Sequence, residues 1–178
     1  KKLIPQYVEK LCEEIRYTAV IAGEQNLRLE SIYIGGGTPT VLTAEQLKKV
    51  TDAISSNFDV PSVREYTIEA GRPDSTTKEK LEVMKNCGCT RISINPQTFN
   101  DDVLKEIGRN HTSAQTLEAF KAARDEGFDF INMDLIAGLP DETPEDFMYS
   151  LNEVIKLNPE NITVHSLCIK RAANYRHT

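Results

Sequence analysis

The residues most able to do chemistry in this sequence begin with three consecutive glycines, Gly35 to Gly37. They follow a run of β-forming residues at 31–34. An amphipathic run then opens at Thr43, with Gln46 at the spacing of a capping box. The glycines therefore lie on a loop between a strand and a helix, where α/β proteins bind ligands. Glycines there are also ordinary turn residues, but three in a row predict a ligand whose polar end contacts backbone directly.

Polar residues stand at the ends of four further strand candidates. Asp134 is the strongest of them, because a charge inside an apolar run needs a specific partner. Glu69 could be solvated at its strand end, and His165 is interpreted as a structural or supporting residue. Arg109 follows Gly108 at a helix end, where a cation suits the helix dipole as well as a ligand. The remaining residues of this set are Arg72, Asn95, Gln97, Asn132, Ser166 and Cys168.

Several familiar active-site signatures are absent from the sequence. A dinucleotide-binding G-x-G-x-x-G pattern that starts at Gly35 would need a glycine where Thr40 stands. The P-loop, G-x-S-x-G and H-E-x-x-H motifs are absent as well. Cys87 and Cys89 form a C-x-C pair, whereas zinc sites prefer C-x₂₋₄-C, and Cys12 lies on a helical apolar stripe. We therefore expect Cys12 to be a core thiol and no residue of this chain to bind a metal.

The elements that must position these residues alternate along the chain. Strands are predicted at 31–34, 65–69, 91–94, 130–136 and 161–165, and helices at 4–22, 44–57, 77–86, 113–126 and 144–157. Alternating strands and helices predict crossover connections and a parallel sheet in one domain over residues 1–178. The fourth strand is nearly all apolar, which predicts burial on both faces.

Length and composition are those of a globular protein. The chain has 178 residues, of which 39% are apolar and 27% charged. A net charge of −6 argues against nucleic-acid binding. No apolar stretch reaches the roughly 20 residues of a membrane span, and no signal peptide is recognisable. Four cysteines without a compact framework favour the cytoplasm, and a start at Lys1 suggests a missing N-terminal piece.

Six ordered motifs carry a family resemblance: IYIGGGTPT, YTIEAGRPD, RISINPQTFND, IGRNHT, INMDLIAGLPDET and VHSLCIKRAA. Together they resemble radical S-adenosylmethionine (SAM) enzymes of the oxygen-independent coproporphyrinogen III oxidase group, and the HemZ branch in particular. The resemblance implies an α/β fold, a partial parallel (β/α) barrel of about five βα units with the first unit missing.

The same resemblance implies SAM and a [4Fe–4S] cluster as cofactors. In the family the cluster chelates SAM, and an electron from a reducing donor cleaves SAM to a 5′-deoxyadenosyl radical. The oxidases use this radical to decarboxylate propionate groups of an anionic tetrapyrrole in heme biosynthesis, which leaves vinyl groups. The resemblance names no catalytic residue in this chain. The positions that match SAM-binding residues are Gly36, Gly37, Thr38, Glu69, Gln97, Arg109, Asp134 and Cys168.

The sequence departs from the family in its cysteines, because no C-x₃-C-x₂-C motif is present. We therefore expect a fragment that lacks the cluster loop and a C-terminal substrate domain, that is inactive alone, and that self-associates through an open sheet edge. Three alternatives to the oxidase remain at this point: a heme chaperone of the same superfamily, a radical SAM enzyme with another substrate, and a plain α/β nucleotide-binding domain.

Overall fold

A computed structural model describes residues 2–168 as a five-stranded parallel sheet with helices between the strands. The strands are β1 (Ser31–Ile34), β2 (Glu65–Glu69), β3 (Arg91–Gln97), β4 (Ile131–Ala137) and β5 (Asn161–Ser166). The helices are α1 (Ile4–Glu24), α2 (Ala44–Ser55), α3 (Lys78–Asn86), α4 (Asp101–Glu106), α5 (Ser113–Asp125) and α6 (Pro144–Leu157). Neighbouring strands in the sheet follow chain order from β1 to β5, as the alternation predicts. The last five residues of the VHSLCIKRAA motif, 169–173, lie outside the described residues.

Helix starts follow from local side-chain chemistry. The predicted capping box is present, because the Thr43 hydroxyl accepts from the Gln46 N–H while the Gln46 side chain accepts from the Thr43 N–H. Thr112 and Thr143 cap α5 and α6 in the same way. These caps satisfy backbone donors that a helix leaves free in its first turn. None of the helices in the described part of the chain is long and apolar enough to cross a membrane.

The hydrophobic core lies between one face of the sheet and the helices. Ile68, Ile92 and Met133 are fully buried on that face of β2, β3 and β4. Leu47 of α2 and Leu81 of α3 are equally buried against them. Burying such a side chain contributes roughly 1.5–3 kcal/mol, so this layer dominates the stability of the sheet.

The opposite face of the sheet is polar. Side chains alternate along a strand, so Asn132 and Asp134 point away from the core that Ile131, Met133 and Leu135 form on β4. On this face Asn132 is 6% exposed while Asp134 and Ile136 are half-buried, so the predicted burial on both faces holds only in part, and the second face is largely polar.

The region after β3 differs from the sequence prediction. The strand extends to Gln97, whose φ is +68°, and its pairing with β4 shifts register between Ile94 and Gln97. The helix α4 follows at once, capped by the Asn100 side chain, which accepts from two backbone N–H groups. Periodicity missed this helix because six residues are too few to show an apolar stripe.

Candidate functional site

A cleft of about 310 Å³ lies on the polar face of the sheet. Side chains from all five strands line it, which is what a parallel sheet with alternating polarity produces. Glu69 and Asp134, two of the predicted site residues, both line this cleft, so the structure brings them to one region as predicted. The other lining residues are Tyr33, Glu65, Thr67, Arg91, Ser93, Asn132, Thr163 and His165.

Tyr33 of β1 holds the side chain of Glu69, which ends the neighbouring strand β2. Its hydroxyl donates a hydrogen bond to Glu69 Oε1. That hydrogen bond, helped by burial, raises the pKa of Tyr33 to about 12, so the phenol stays protonated and remains a donor. The motif analysis missed Tyr33. The signal was the alternation in β1, which puts Tyr33 on the face opposite Ile32 and Ile34.

A hydrogen-bond network orients Asp134 between β4 and β5. Asn132 Oδ1 accepts from Thr163 Oγ1 at 2.9 Å and also from the Asn161 side-chain amide. The Asn132 Nδ2 group then donates to Asp134 Oδ1 at 2.6 Å. The second oxygen, Asp134 Oδ2, lies 3.7 Å from His165 Nε2. Asp134 Oδ1 is already engaged by Asn132, whereas Oδ2 accepts no hydrogen bond from the described residues and is free to accept one from a ligand.

The floor of the cleft carries an unpartnered hydroxyl. Ser93 is 7% exposed, and its Oγ has no hydrogen-bond partner among the described residues. On the same strand, Arg91 Nη1 lies 3.3 Å from Glu65 Oε2, and Arg91 Cζ lies 4.8 Å from the centre of the Phe130 ring. A buried hydroxyl without a partner is costly, so a ligand or an ordered water that reached Ser93 would be favoured there.

The three glycines of the first loop have different structural reasons. A Cβ on Gly35 would overlap the Tyr33 ring and lie 3.1 Å from Glu69 Cδ, so Gly35 makes room for a contact within the protein. Gly36 has a φ of +102°, a backbone conformation that residues with a side chain rarely adopt. Gly36 and Gly37 both have open space where a Cβ would be, so their backbone is open to a ligand, and Gly37 combines this with a φ that any residue can adopt.

Arg109 lies in a separate group of charged residues beside the end of β3. Burial is the main cause that lowers the pKa of Arg109, and the nearby Arg72 guanidinium lowers it further. The negative charge of Asp74 acts in the opposite direction and offsets part of this shift. The Arg72 Nε is buried and has no hydrogen-bond partner in the described part of the chain. Two cations with an unsatisfied donor form a local environment that suits a carboxylate.

The remaining predicted residues lie apart from the cleft lining. Gln97 is 7% exposed and its backbone pairs with Leu135, so it adjoins Asp134 across the sheet. Thr38 follows the glycines, and its Cγ2 would lie 3.8 Å from the Cβ of an alanine at position 71, in the segment after β2. Cys168 is exposed, two residues beyond the end of β5.

The four cysteines do not share a loop. Cys12 is buried on α1 as predicted, with its thiol toward the Lys49 carbonyl of α2. Cys87 and Cys89 lie between α3 and β3, at the end of the sheet where strands begin, and burial raises the pKa of Cys89 to about 12. Cys168 lies at the other end. Among residues 2–168 no three His, Cys, Asp or Glu side chains form a group that could hold a metal ion.

Comparisons with known proteins agree on one superfamily. The family model described as the Radical SAM superfamily matches residues 2–154. The oxygen-independent coproporphyrinogen-III oxidase-like protein HemZ of Bacillus subtilis (strain 168) is 48% identical over 151 residues, 84% of this chain and 30% of that protein. The heme chaperone HemW of the same organism is 38% identical over 168 residues, 94% of this chain and 44% of HemW.

A solved structure extends the likeness to the fold. Coproporphyrinogen III oxidase (HemN) from Escherichia coli, described as a radical SAM enzyme, has a TM-score of 0.82 and 31% identity over 93% of this chain and 37% of its own. The chain thus spans between 30% and 44% of the length of the curated relatives HemZ and HemW.

Proposed function

This chain belongs to the radical SAM superfamily, and we propose that it forms the SAM-binding core of an oxygen-independent coproporphyrinogen III oxidase-like enzyme. The observation that carries the proposal is the placement of Glu69 and Asp134 on one cleft, beside the glycine loop. The proposed reaction is the oxidative decarboxylation of propionate groups on an anionic porphyrinogen, in heme biosynthesis. The 48% identity to HemZ favours this branch.

Residues of the cleft, of the glycine loop and of the separate group around Arg109 fit the chemical groups of SAM. The carboxylates of Glu69 and Asp134 accept hydrogen bonds, which the ribose hydroxyls and the ammonium group can donate. Arg109, beside the unsatisfied Nε of Arg72, suits the carboxylate. Gly37 leaves room for close approach to the backbone. When bound, SAM supplies the radical chemistry of the superfamily, and these residues bind and orient it.

The cysteines of this chain do not fit the [4Fe–4S] cluster that the superfamily implies. Three thiolates on one short loop are needed, whereas here the thiols are divided between a helix core, the start of β3 and the end of β5. The proposed activity therefore needs cluster ligands and a reducing electron donor from outside this sequence. All four thiols are free, which is consistent with our proposal of a cytoplasmic location.

A heme chaperone is the second candidate, because HemW matches 94% of this chain. The two functions differ in what happens to the tetrapyrrole, since a chaperone binds heme and performs no decarboxylation.

One anaerobic experiment separates the two candidates. The protein that carries this chain is incubated with coproporphyrinogen III, SAM and a reductant, and the porphyrin products are separated by chromatography. We expect vinyl products from the wild type, a large loss with Asp134→Ala, and no change with Glu118→Ala, which alters an exposed face of α5. The same protein is also titrated with heme and followed by absorbance, and stoichiometric heme binding without vinyl products would favour the chaperone. Neither heme binding nor product formation would refute both.

A further inference from the structure

One buried side chain, His111, connects the loop that carries Arg109 with the strand end that carries Gln97. Its Nε2 lies 3.1 Å from the Pro96 carbonyl oxygen, and the residue is 3% exposed. A carbonyl oxygen only accepts, so Nε2 must carry the hydrogen. In the neutral ring Nδ1 is then an acceptor, and it has no partner among residues 2–168.

The backbone before Arg109 is fixed by the end of α4. Gly108, at φ +72°, donates to the Lys105 carbonyl at 3.1 Å, and Arg109 donates to the Leu104 carbonyl at 2.8 Å. This pair of bonds is a Schellman motif, which sets the direction in which the chain leaves the helix. Two residues later His111 fixes the loop again, so Arg109 lies between two anchored points.

Gln97 needs support from its neighbours, because a positive φ is unusual for a residue with a side chain. On one side the Thr98 hydroxyl donates to Glu142 at 2.7 Å, and the Phe99 N–H donates to Ser150 at 2.8 Å. These contacts hold the segment to the β4–α6 loop and to α6. On the other side the bond from His111 reaches Pro96, directly before Gln97.

The electrostatic surroundings keep the His111 ring neutral. Burial lowers the pKa of His111, and the neighbouring Arg109 and Arg72 guanidiniums lower it further. The hydrogen bond to Pro96 and the charge of Asp74 act in the opposite direction but do not reverse the shift. A neutral ring with one donated hydrogen bond acts through geometry rather than through charge.

From these contacts we propose that His111 is a positioning residue that sets Arg109 and Gln97 relative to each other for ligand binding. The inference rests on the proposed function, in which Arg109 binds the SAM carboxylate, and on the family resemblance, which assigns Gln97 to SAM binding as well. It predicts that SAM affinity depends on a donor at position 111 that can reach the Pro96 carbonyl oxygen, and not on an ionisable group there.

The test compares two substitutions with a matched control. His111→Phe keeps an aromatic ring and removes the donor, while His111→Gln keeps an N–H at about the reach of Nε2. Thr51→Val is the control, because it removes a buried hydroxyl that donates to Lys48 O at 3.0 Å in α2, away from this contact. SAM dissociation constants are measured anaerobically by calorimetry in the protein that carries this chain, together with urea unfolding.

We expect His111→Phe to weaken SAM binding roughly five- to tenfold, the worth of one buried hydrogen bond, and His111→Gln to restore affinity to within about twofold. Thr51→Val should lose stability and keep its affinity. Equal affinity of His111→Phe and the wild type would overturn the inference, as would an equal loss in Thr51→Val. If His111→Phe does not fold, the shorter His111→Asn replaces it, and equal affinities of the Asn and Gln variants overturn the inference.

A second measurement does not depend on SAM. Long-range nitrogen–proton NMR of the ring should show hydrogen on Nε2 and none on Nδ1 of His111. The opposite tautomer would overturn the inference even if SAM binds. A wild-type protein that binds no SAM while showing the Nε2–H tautomer would refute the proposed function and leave the structural contact established.

Discussion

Replacing Asn132 by alanine should disconnect Asp134 from its support. The change removes the 2.6 Å hydrogen bond to Asp134 Oδ1, in which a neutral amide donates to a carboxylate. It also removes Asn132 Oδ1, which accepts hydrogen bonds from Thr163 Oγ1 at 2.9 Å and from the Asn161 amide. Asn132 is 6% exposed, so water does not readily take its place.

The expected magnitude follows from the types of these hydrogen bonds. A hydrogen bond to a charged group contributes about 1.5–3 kcal/mol, and each neutral one about 1 kcal/mol. Thr163 and Asn161 are only partly buried, so water recovers part of their loss. We expect Asn132→Ala to lower the free energy of unfolding by about 3 kcal/mol, out of a total on the order of 5–15 kcal/mol.

Urea unfolding followed by circular dichroism measures this loss, with exposed Asn110→Ala as the control. A double-mutant cycle with Asp134→Ala isolates the pair, and its coupling energy should be about 2 kcal/mol. A loss below about 1 kcal/mol in Asn132→Ala, together with no coupling to Asp134, would refute the network as an energetic unit.

Four further outcomes are expected. Gly36→Ala should destabilise the fold by about 1–2 kcal/mol because of its positive φ, whereas Gly37→Ala should keep stability and instead weaken SAM binding; calorimetry and unfolding separate the two. Asp134→Ala should weaken SAM binding by about 1.5–3 kcal/mol and Glu118→Ala should not, and equal affinities would contradict the site. This 178-residue chain, reconstituted with iron and sulfide, should hold fewer than four irons per chain by metal analysis, because its thiols are dispersed. Burial lowers the pKa of His111, so the unfolded chain binds a proton on this ring more readily than the folded chain does. The free energy of unfolding should therefore fall as the pH drops below about 6.5, and His111→Gln should remove that part of the fall. If the variant shows the same dependence of stability on pH as the wild type, the prediction is wrong.

The sheet could be predicted from sequence because its elements are strongly periodic. The predicted strands 31–34 and 65–69 match β1 and β2 at both ends, and the capping box at Thr43 fixes the start of α2. The bulge at Gln97 could not be predicted, since side-chain contacts from His111 and Ser150 hold it, and these residues are distant in sequence. Long-range contacts of this kind leave no local pattern.

The candidate site was only partly readable for the same reason. Asp134 was identified because a charge in an apolar run is conspicuous, and Glu69 because it ends a strand. Tyr33 and Ser93 were missed, although the alternation of polarity in β1 and β3 marks both. A tyrosine or a serine in a strand is common, so only its neighbours across the sheet reveal that it faces a cleft.

The register of β4 links the hydrophobic core to the site. Ile131, Met133 and Leu135 are fully buried against the helices, and this leaves Asn132 and Asp134 on the cleft face. A slip by one residue would exchange the two sets, placing a carboxylate in the apolar layer and three large apolar side chains among the polar groups of the cleft. An uncompensated buried charge costs several kcal/mol, and each apolar side chain removed from the core forfeits up to roughly 1.5–3 kcal/mol more. The slipped register is therefore inaccessible, and the packing that stabilises the sheet also fixes the position of Asp134 in the cleft.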